Sequence, residues 1–129
     1  MPDLPLCVCS CYNAGMRTLG DISLAEADRL AVQKAADILR QRFPVAGVVL
    51  YGSKARGDDT PGSDIDLLVL TTRPVSYRQK EQMTQAVYPL ELDLGAAISL
   101  LIVDQAKWDH GLCRMMPIHH EVERDGVAA

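Results

Sequence analysis

Two runs of seven residues, Val45–Tyr51 and Asp64–Leu70, constrain this chain more than any other feature. The first is apolar and rich in β-branched residues, and the second is apolar behind an Asp-x-Asp head. Runs this short and this apolar read as strands buried in a sheet. Between them Gly52-Ser53 turns the first strand into a short helical segment that ends near Gly57, and Asp58-Asp59-Thr60-Pro61-Gly62-Ser63 is a loop.

The flanks supply helices. Ser23-Leu24-Ala25-Glu26 reads as a capping box, with Ser23 as N-cap and Glu26 at the third helical position. Ala27, Leu30, Ala31, Ala35, Ile38 and Leu39 then recur at helical spacing until Pro44 stops the helix. Ser76 to Val87 is helix-permissive and Pro89 is expected to end it. Ile98–Val103 is a third apolar strand. A last helix is expected from Asp104 or Gln105 to Arg124, kinked or split at Pro117 and closed by Gly126. The order helix, strand, strand, helix, strand, helix predicts an α/β (α+β) fold, a small mixed β-sheet covered by helices.

With 129 residues there is room for one hydrophobic core. Residues 16–129 are expected to form the domain, with 1–15 a tail outside it. That tail carries Cys7, Cys9 and Cys11 as C-x-C-x-C, while Cys113 stands far downstream. Alternate thiolates on an extended segment could share a face toward a soft metal. The spacing is not a usual structural zinc pattern, so a reduced, incidental cluster is the preferred reading. A net charge of -4 disfavours a protein that grips nucleic acid through phosphate contacts, and is compatible with a basic protein partner. No apolar run approaches the roughly 20 residues of a membrane span. The start Met1-Pro2-Asp3 lacks the basic opening of a secretory signal, so a cytoplasmic protein is expected.

The chemistry concentrates between Gly52 and Asp66. Strand alternation puts Asp64 and Asp66 on one face, about 6.5 Å apart along the chain, with Ile65, Leu67 and Val69 anchoring the other. Paired carboxylates repel unless a cation lies between them, and oxygen ligands of this kind suit Mg²⁺ or Mn²⁺. Taken alone, Asp-x-Asp is common and reads equally as solvated acids at a strand start. Gly52 lets backbone approach a ligand closely, and the Ser53 hydroxyl with the amides of the following turn can bind a phosphate. Lys54 and Arg56 add cations in the same neighbourhood. The combination favours a metal-borne nucleotide over an ordinary turn with a solvated basic face.

These residues resemble a known family. Gly52-Ser53, ten residues, then Asp64-Ile65-Asp66 is similar to the signature of the minimal nucleotidyltransferases of the DNA polymerase β-like superfamily. The stretches Gly52-Ser53-Lys54-Ala55-Arg56-Gly57 and Ser63-Asp64-Ile65-Asp66-Leu67-Leu68-Val69 carry the likeness, and Glu121 to Val127 looks like the family's closing helix and tail. The resemblance implies ATP held by Gly52 and Ser53 with Arg56 in support. It implies metal on Asp64 and Asp66, and transfer of a nucleotidyl group, often AMP, to an acceptor. It also implies a protein partner, since many members are antitoxins of HEPN-type ribonuclease toxins. One departure stands out. The family's catalytic form has a third carboxylate on the next core strand, where this chain has Ser99. Asp93 and Asp104 flank that strand, Asp104 on the opposite face and Asp93 beyond Gly95, and both read as surface acids.

Three functions follow: Mg²⁺-dependent transfer of AMP to a protein or small acceptor; a catalytically weak fold that acts by binding a partner; and an RNA-directed enzyme, which the negative charge disfavours. A chain this small leaves its site open on one side, so a homodimer or a partner helix bundle is expected to cover it. His110, His119 and His120 are expected at the surface or an interface, since adjacent histidines on a helix chelate poorly. Trp108, Met115 and Met116 are expected in the core or in dimer packing, with a partner surface as the less favoured reading.

Overall fold

A computed structural model describes residues 16–60 and 62–129. The expected tail, with its three cysteines, lies outside the described residues.

Leu39, Ala31, Val32, Ala35 and Ala36 form a buried stripe along helix α1 (Glu26–Arg42). Strand β2 (Val45–Tyr51) leads into the one-turn helix α2 (Ser53–Arg56), and β3 (Ile65–Thr71) follows the loop. Helix α3 (Tyr77–Leu94) crosses to β4 (Ile98–Asp104). Helix α4 (Gln105–His110), a 3-10 turn (Leu112–Met115) and α5 (Pro117–Asp125) complete the main chain. Two short strands, β1 (Arg17–Thr18) and β5 (Val127–Ala128), join one edge.

The sheet order is β1-β5-β2-β3-β4. β2 runs antiparallel to β3 and β5, while β3 runs parallel to β4 and β1 parallel to β5. The mixed sheet covered by helices agrees with the expected fold. Alternation splits the strands cleanly. Val48, Leu50, Ile65, Leu67, Val69 and Ile98 meet α1 and α3 on one face. Val49, Leu68 and Leu70 meet Trp108 of α4 and Val122 of α5 on the other. Because β2 and β3 are covered on both faces, their sequences are almost continuously apolar.

Several boundaries differ from expectation. Ser23 does not cap α1: the N-cap is Ala25, without a side-chain bond. The approach to the helix is pinned from inside it, since the Arg29 guanidinium donates to the Leu19 and Ile22 carbonyls. Pro89 does not end α3, which runs on to Gly95 in the left-handed region. An interior proline costs about 3 kcal/mol. Burying Leu90, with Leu94 packed against the core, offsets that cost. Ser76 caps that helix reciprocally with Gln79, a capping box that was not singled out from sequence. The final helix is split, with Pro117 opening α5 rather than bending one long helix. The two-residue strands β1 and β5 carry no periodic signal; tertiary pairing alone makes them.

His119 is buried against the Trp108 ring at 4.6 Å between centroids, not at the surface. Trp108 belongs to the core, whereas Met115 and Met116 are exposed.

Candidate nucleotide and metal site

The register brings one row of side chains together. Tyr51 of β2 pairs with Asp66 of β3, and Asp66 pairs with Ser99 of β4. All three share the sheet face of Val49, Leu68 and Leu101, the face that α4 and α5 cover farther along. Asp64 immediately precedes β3 and is exposed, while Asp66 is half-buried.

Backbone geometry explains the glycine. Gly52 has φ 80°, and a Cβ there would lie 2.5 Å from Asp66 Oδ2. Only glycine lets the turn adopt this conformation and press against that carboxylate. Ser53 and Lys54 open α2, where N–H groups have no helical carbonyl to bond. Gly57, at φ 85°, ends the turn. Gly52→Ala is therefore expected to cost about 1–3 kcal/mol in backbone strain and to displace Asp66. Thermal unfolding should show the loss of stability, and ATP titration a weakening of about tenfold or more. A variant with unchanged melting and ATP affinity would contradict this account of the turn.

The basic residues divide in their roles. The Lys54 side chain is only 7% exposed, and its ammonium sits 2.9 Å from Asp28 of α1 and 3.2 Å from Asp59. The hydrogen bond to Asp28 is the main reason its pKa rises above the ordinary lysine value. A role at a phosphate would have to share this ammonium with both acids. Lys54 ties the loop to α1, and Arg56 donates to Asp58 at 3.2 Å. Thr60 and Ser63 close the loop through Thr60 N–H to Ser63 Oγ at 2.9 Å. Together these contacts aim Asp64 and Asp66. Arg56 is exposed and lies beside the acidic pair, within 3.5 Å of Glu121 on α5.

Electrostatically the site has surplus negative charge. Burial pushes the Asp66 carboxyl above its usual range, and Asp64 and Glu121 push it further, against a smaller opposing pull from Arg56. Burial likewise raises the Tyr51 phenol, helped by Asp66 and Glu121. Glu121 and Tyr51 were not singled out from sequence. Tyr51 follows from counting the hairpin register, whereas Glu121 reaches the site only through tertiary packing.

The surplus charge and the close glycine approach fit a divalent cation at Asp64 and Asp66. Among the described residues no three His, Cys, Asp or Glu side chains group as a complete metal cage. A cation held by two carboxylates would complete its shell with water and substrate phosphate, as Mg²⁺ commonly does. Neither flanking acid fills the position of Ser99. Asp104 lies on the opposite alternation and caps α4 by accepting from Ala106 N–H at 3.3 Å. Asp93 belongs to α3, which packs on the other sheet face.

A mixed sheet carrying a Gly-Ser turn beside a strand headed by paired acids defines the nucleotidyltransferase fold. The family described as nucleotidyltransferase domain matches residues 32–117, and this chain belongs to that family. A protein of Methanocaldococcus jannaschii named as a candidate protein adenylyltransferase is 30% identical over 86 residues, 67% of this chain and 79% of that protein. Solved structures share the fold. A chain from a toxin-antitoxin crystal structure with AMP-PNP aligns at TM-score 0.52 and 21% identity, covering 74% of this chain and 69% of its own. A chain from the tri-AMPylated Shewanella oneidensis HEPN toxin in complex with MNT antitoxin aligns at TM-score 0.50 and 22% identity, covering 78% and 70%. None of the described helices is long and apolar enough to cross a membrane.

Proposed function

We propose that this domain binds Mg-ATP and transfers its AMP group to a protein acceptor, a HEPN-type toxin that it holds as an antitoxin in the cytoplasm. The observation that carries this reading is the convergence of Gly52, Asp64 and Asp66 on one sheet face. Asp64 and Asp66 hold the cation, which supplies charge neutralisation for the phosphates and orients the leaving group. Gly52 and Ser53 receive the phosphate tail through backbone and hydroxyl, and Arg56, exposed and forked, supports it. Lys54 serves the nucleotide by holding the loop that presents the acids. The name of the M. jannaschii relative and the AMP-PNP and AMPylated complexes support this choice of group and partner.

A second reading has a specific observation behind it. Ser99 stands in register with Asp66 on the same face, where the family's catalytic form carries an acid. A serine gives an attacking hydroxyl neither a permanent charge nor a strong base, so binding without turnover is the alternative.

Labelled ATP incubated with this protein and the product of the adjacent reading frame separates the two. Transfer that disappears in Asp66→Asn establishes catalysis. Tight association without label establishes the binding module. Under either reading Ser99→Asp is expected to raise Mg²⁺-dependent label transfer, by about tenfold or more, because it restores a carboxylate beside Asp66. No gain in Ser99→Asp would remove Ser99 from the explanation.

A further inference from the structure

Two arginines join the turn α2 to the last helix by polar contacts among the described residues. Arg56, within α2, reaches Glu121 of α5 at 3.5 Å. Arg17 belongs to neither element but to strand β1. Its Nη2 donates to the Ala55 carbonyl of α2 at 3.3 Å and to the Asp125 carbonyl of α5 at 2.9 Å. One nitrogen with two hydrogens bridges the ends of two helices.

Local bonding explains why α2 offers a carbonyl. Gly52 O accepts from the Ala55 and Arg56 N–H groups, and Ser53 O from those of Gly57 and Asp58. A helix of one turn leaves its last carbonyls without an intrahelical donor, and Ala55 O is one of them. Asp125 likewise ends α5. A cation suits both C-terminal ends. The sheet delivers it, because Arg17 pairs with Val127 just past the end of α5.

The turn is thereby held from three directions. Ala55 is 2% exposed and packs into the core. Lys54 ties the turn to Asp28 and Asp59. Arg17 fastens it to α5. The fit at the front is tight, since a Cβ on Gly52 would meet Asp66 Oδ2 at 2.5 Å. A shift of α2 therefore moves Gly52 and Ser53 relative to the acids. We infer that Arg17 is a positioning residue for nucleotide binding, clasping the turn to α5 and setting Gly52 and Ser53 against Asp66. It acts through the Ala55 carbonyl rather than by touching the triphosphate. The nucleotide half of this inference rests on the proposed binding of Mg-ATP; the clasp rests on the two hydrogen bonds alone. A misplacement of about 1 Å can cost about 100-fold in function, and a turn still held from two directions should lose less.

Arg17→Met in the full chain keeps the stem and removes the donors. Calorimetric titration should show Mg-ATP affinity falling by about tenfold. Without nucleotide, amide exchange should quicken at Gly57 and Asp58, whose N–H groups close α2, while the pairing of β1 with β5 stays protected. Arg17→Lys, whose ammonium can donate to both carbonyls, should keep affinity within about threefold of the parent. Ser53→Ala distinguishes a clasp from the pull of a distant charge. Its loss and that of Arg17→Met should be less than additive, because both work through one turn, whereas a remote attraction would simply add. Circular dichroism checks that each variant folds. Arg17→Met with the parent's exchange and affinity would overturn the inference. So would additive losses, or release of β1 with exchange in α2 unchanged. A parent that binds no Mg-ATP would overturn the proposed function and the nucleotide half together, and exchange in α2 would then decide the clasp by itself.

Discussion

Asp64→Asn combined with Asp66→Asn is expected to abolish Mg²⁺-dependent ATP binding while leaving the fold intact or firmer. The two carboxylates repel, and Asp66 is partly buried beside Glu121 as well. Removing their charges relieves that repulsion, so unfolding stability should stay constant or rise by up to about 1 kcal/mol. Calorimetric titration with Mg-ATP and thermal unfolding read the two effects separately. Unchanged ATP affinity would sink the assignment of these acids, whatever the melting temperature did. The pH dependence has the matching sign. Asp66 binds its proton more tightly in the folded state than in the unfolded chain, so its ionisation opposes folding. That cost is present above its raised folded pKa and is relieved as pH falls toward the ordinary carboxylate value. Proton competition should weaken cation binding over the same window, beginning at a higher pH than for an ordinary aspartate. Gain of stability and loss of ligand thus run together, as expected where charges are gathered for a ligand rather than for the fold.

Lys54→Met should act in the opposite way, as a stability defect first. Its ammonium is buried against Asp28, whose side chain is 14% exposed, and against Asp59 in the loop. Methionine replaces the stem but strands the Asp28 charge. Breaking a buried pair from one side costs several kcal/mol, here about 2–4 because Asp59 can turn to solvent. Against a typical 5–15 kcal/mol for a whole domain that loss is large, roughly 10 °C in melting temperature. Lys54→Met with Asp28→Leu should recover most of it, since no buried charge is then left unpaired and Asp59 can turn to solvent. Failure of the double variant to recover would show that Lys54 works through Asp59 and the loop instead. The parent pair has its own pH signature. The folded Lys54 pKa is raised, so its contribution is present below the ordinary lysine value and is lost as pH climbs through the folded value.

Lys54 also shows where reading the chain alone runs short. Its neighbours in sequence suggested a solvated or phosphate-facing cation, because Asp28 is remote along the chain and close only after α1 packs. Ser23 and Pro89 failed for a related reason. Both obey sound local rules, yet Arg29 pins the approach to α1 from within, and the burial of Leu90 carries α3 past its proline. The start of α3 near Ser76 was legible, and its cap, which was not singled out, is made of local bonds with Gln79.

What the sequence determined by itself is what depends on neighbours a few residues away. Short apolar runs fixed three long strands, alternation assigned Asp66 and Ser99 to faces, and glycine's freedom at positive φ fixed the turns at Gly52 and Gly57. What only the tertiary structure decided depends on distant segments meeting. It placed Glu121 beside Asp66, buried Lys54 between Asp28 and Asp59, created β1 and β5, and set β4 at the edge of the sheet among the described residues. Backbone sterics act over a handful of bonds and are written in composition and spacing, whereas electrostatic company and exposed edges arise only from how the layers close.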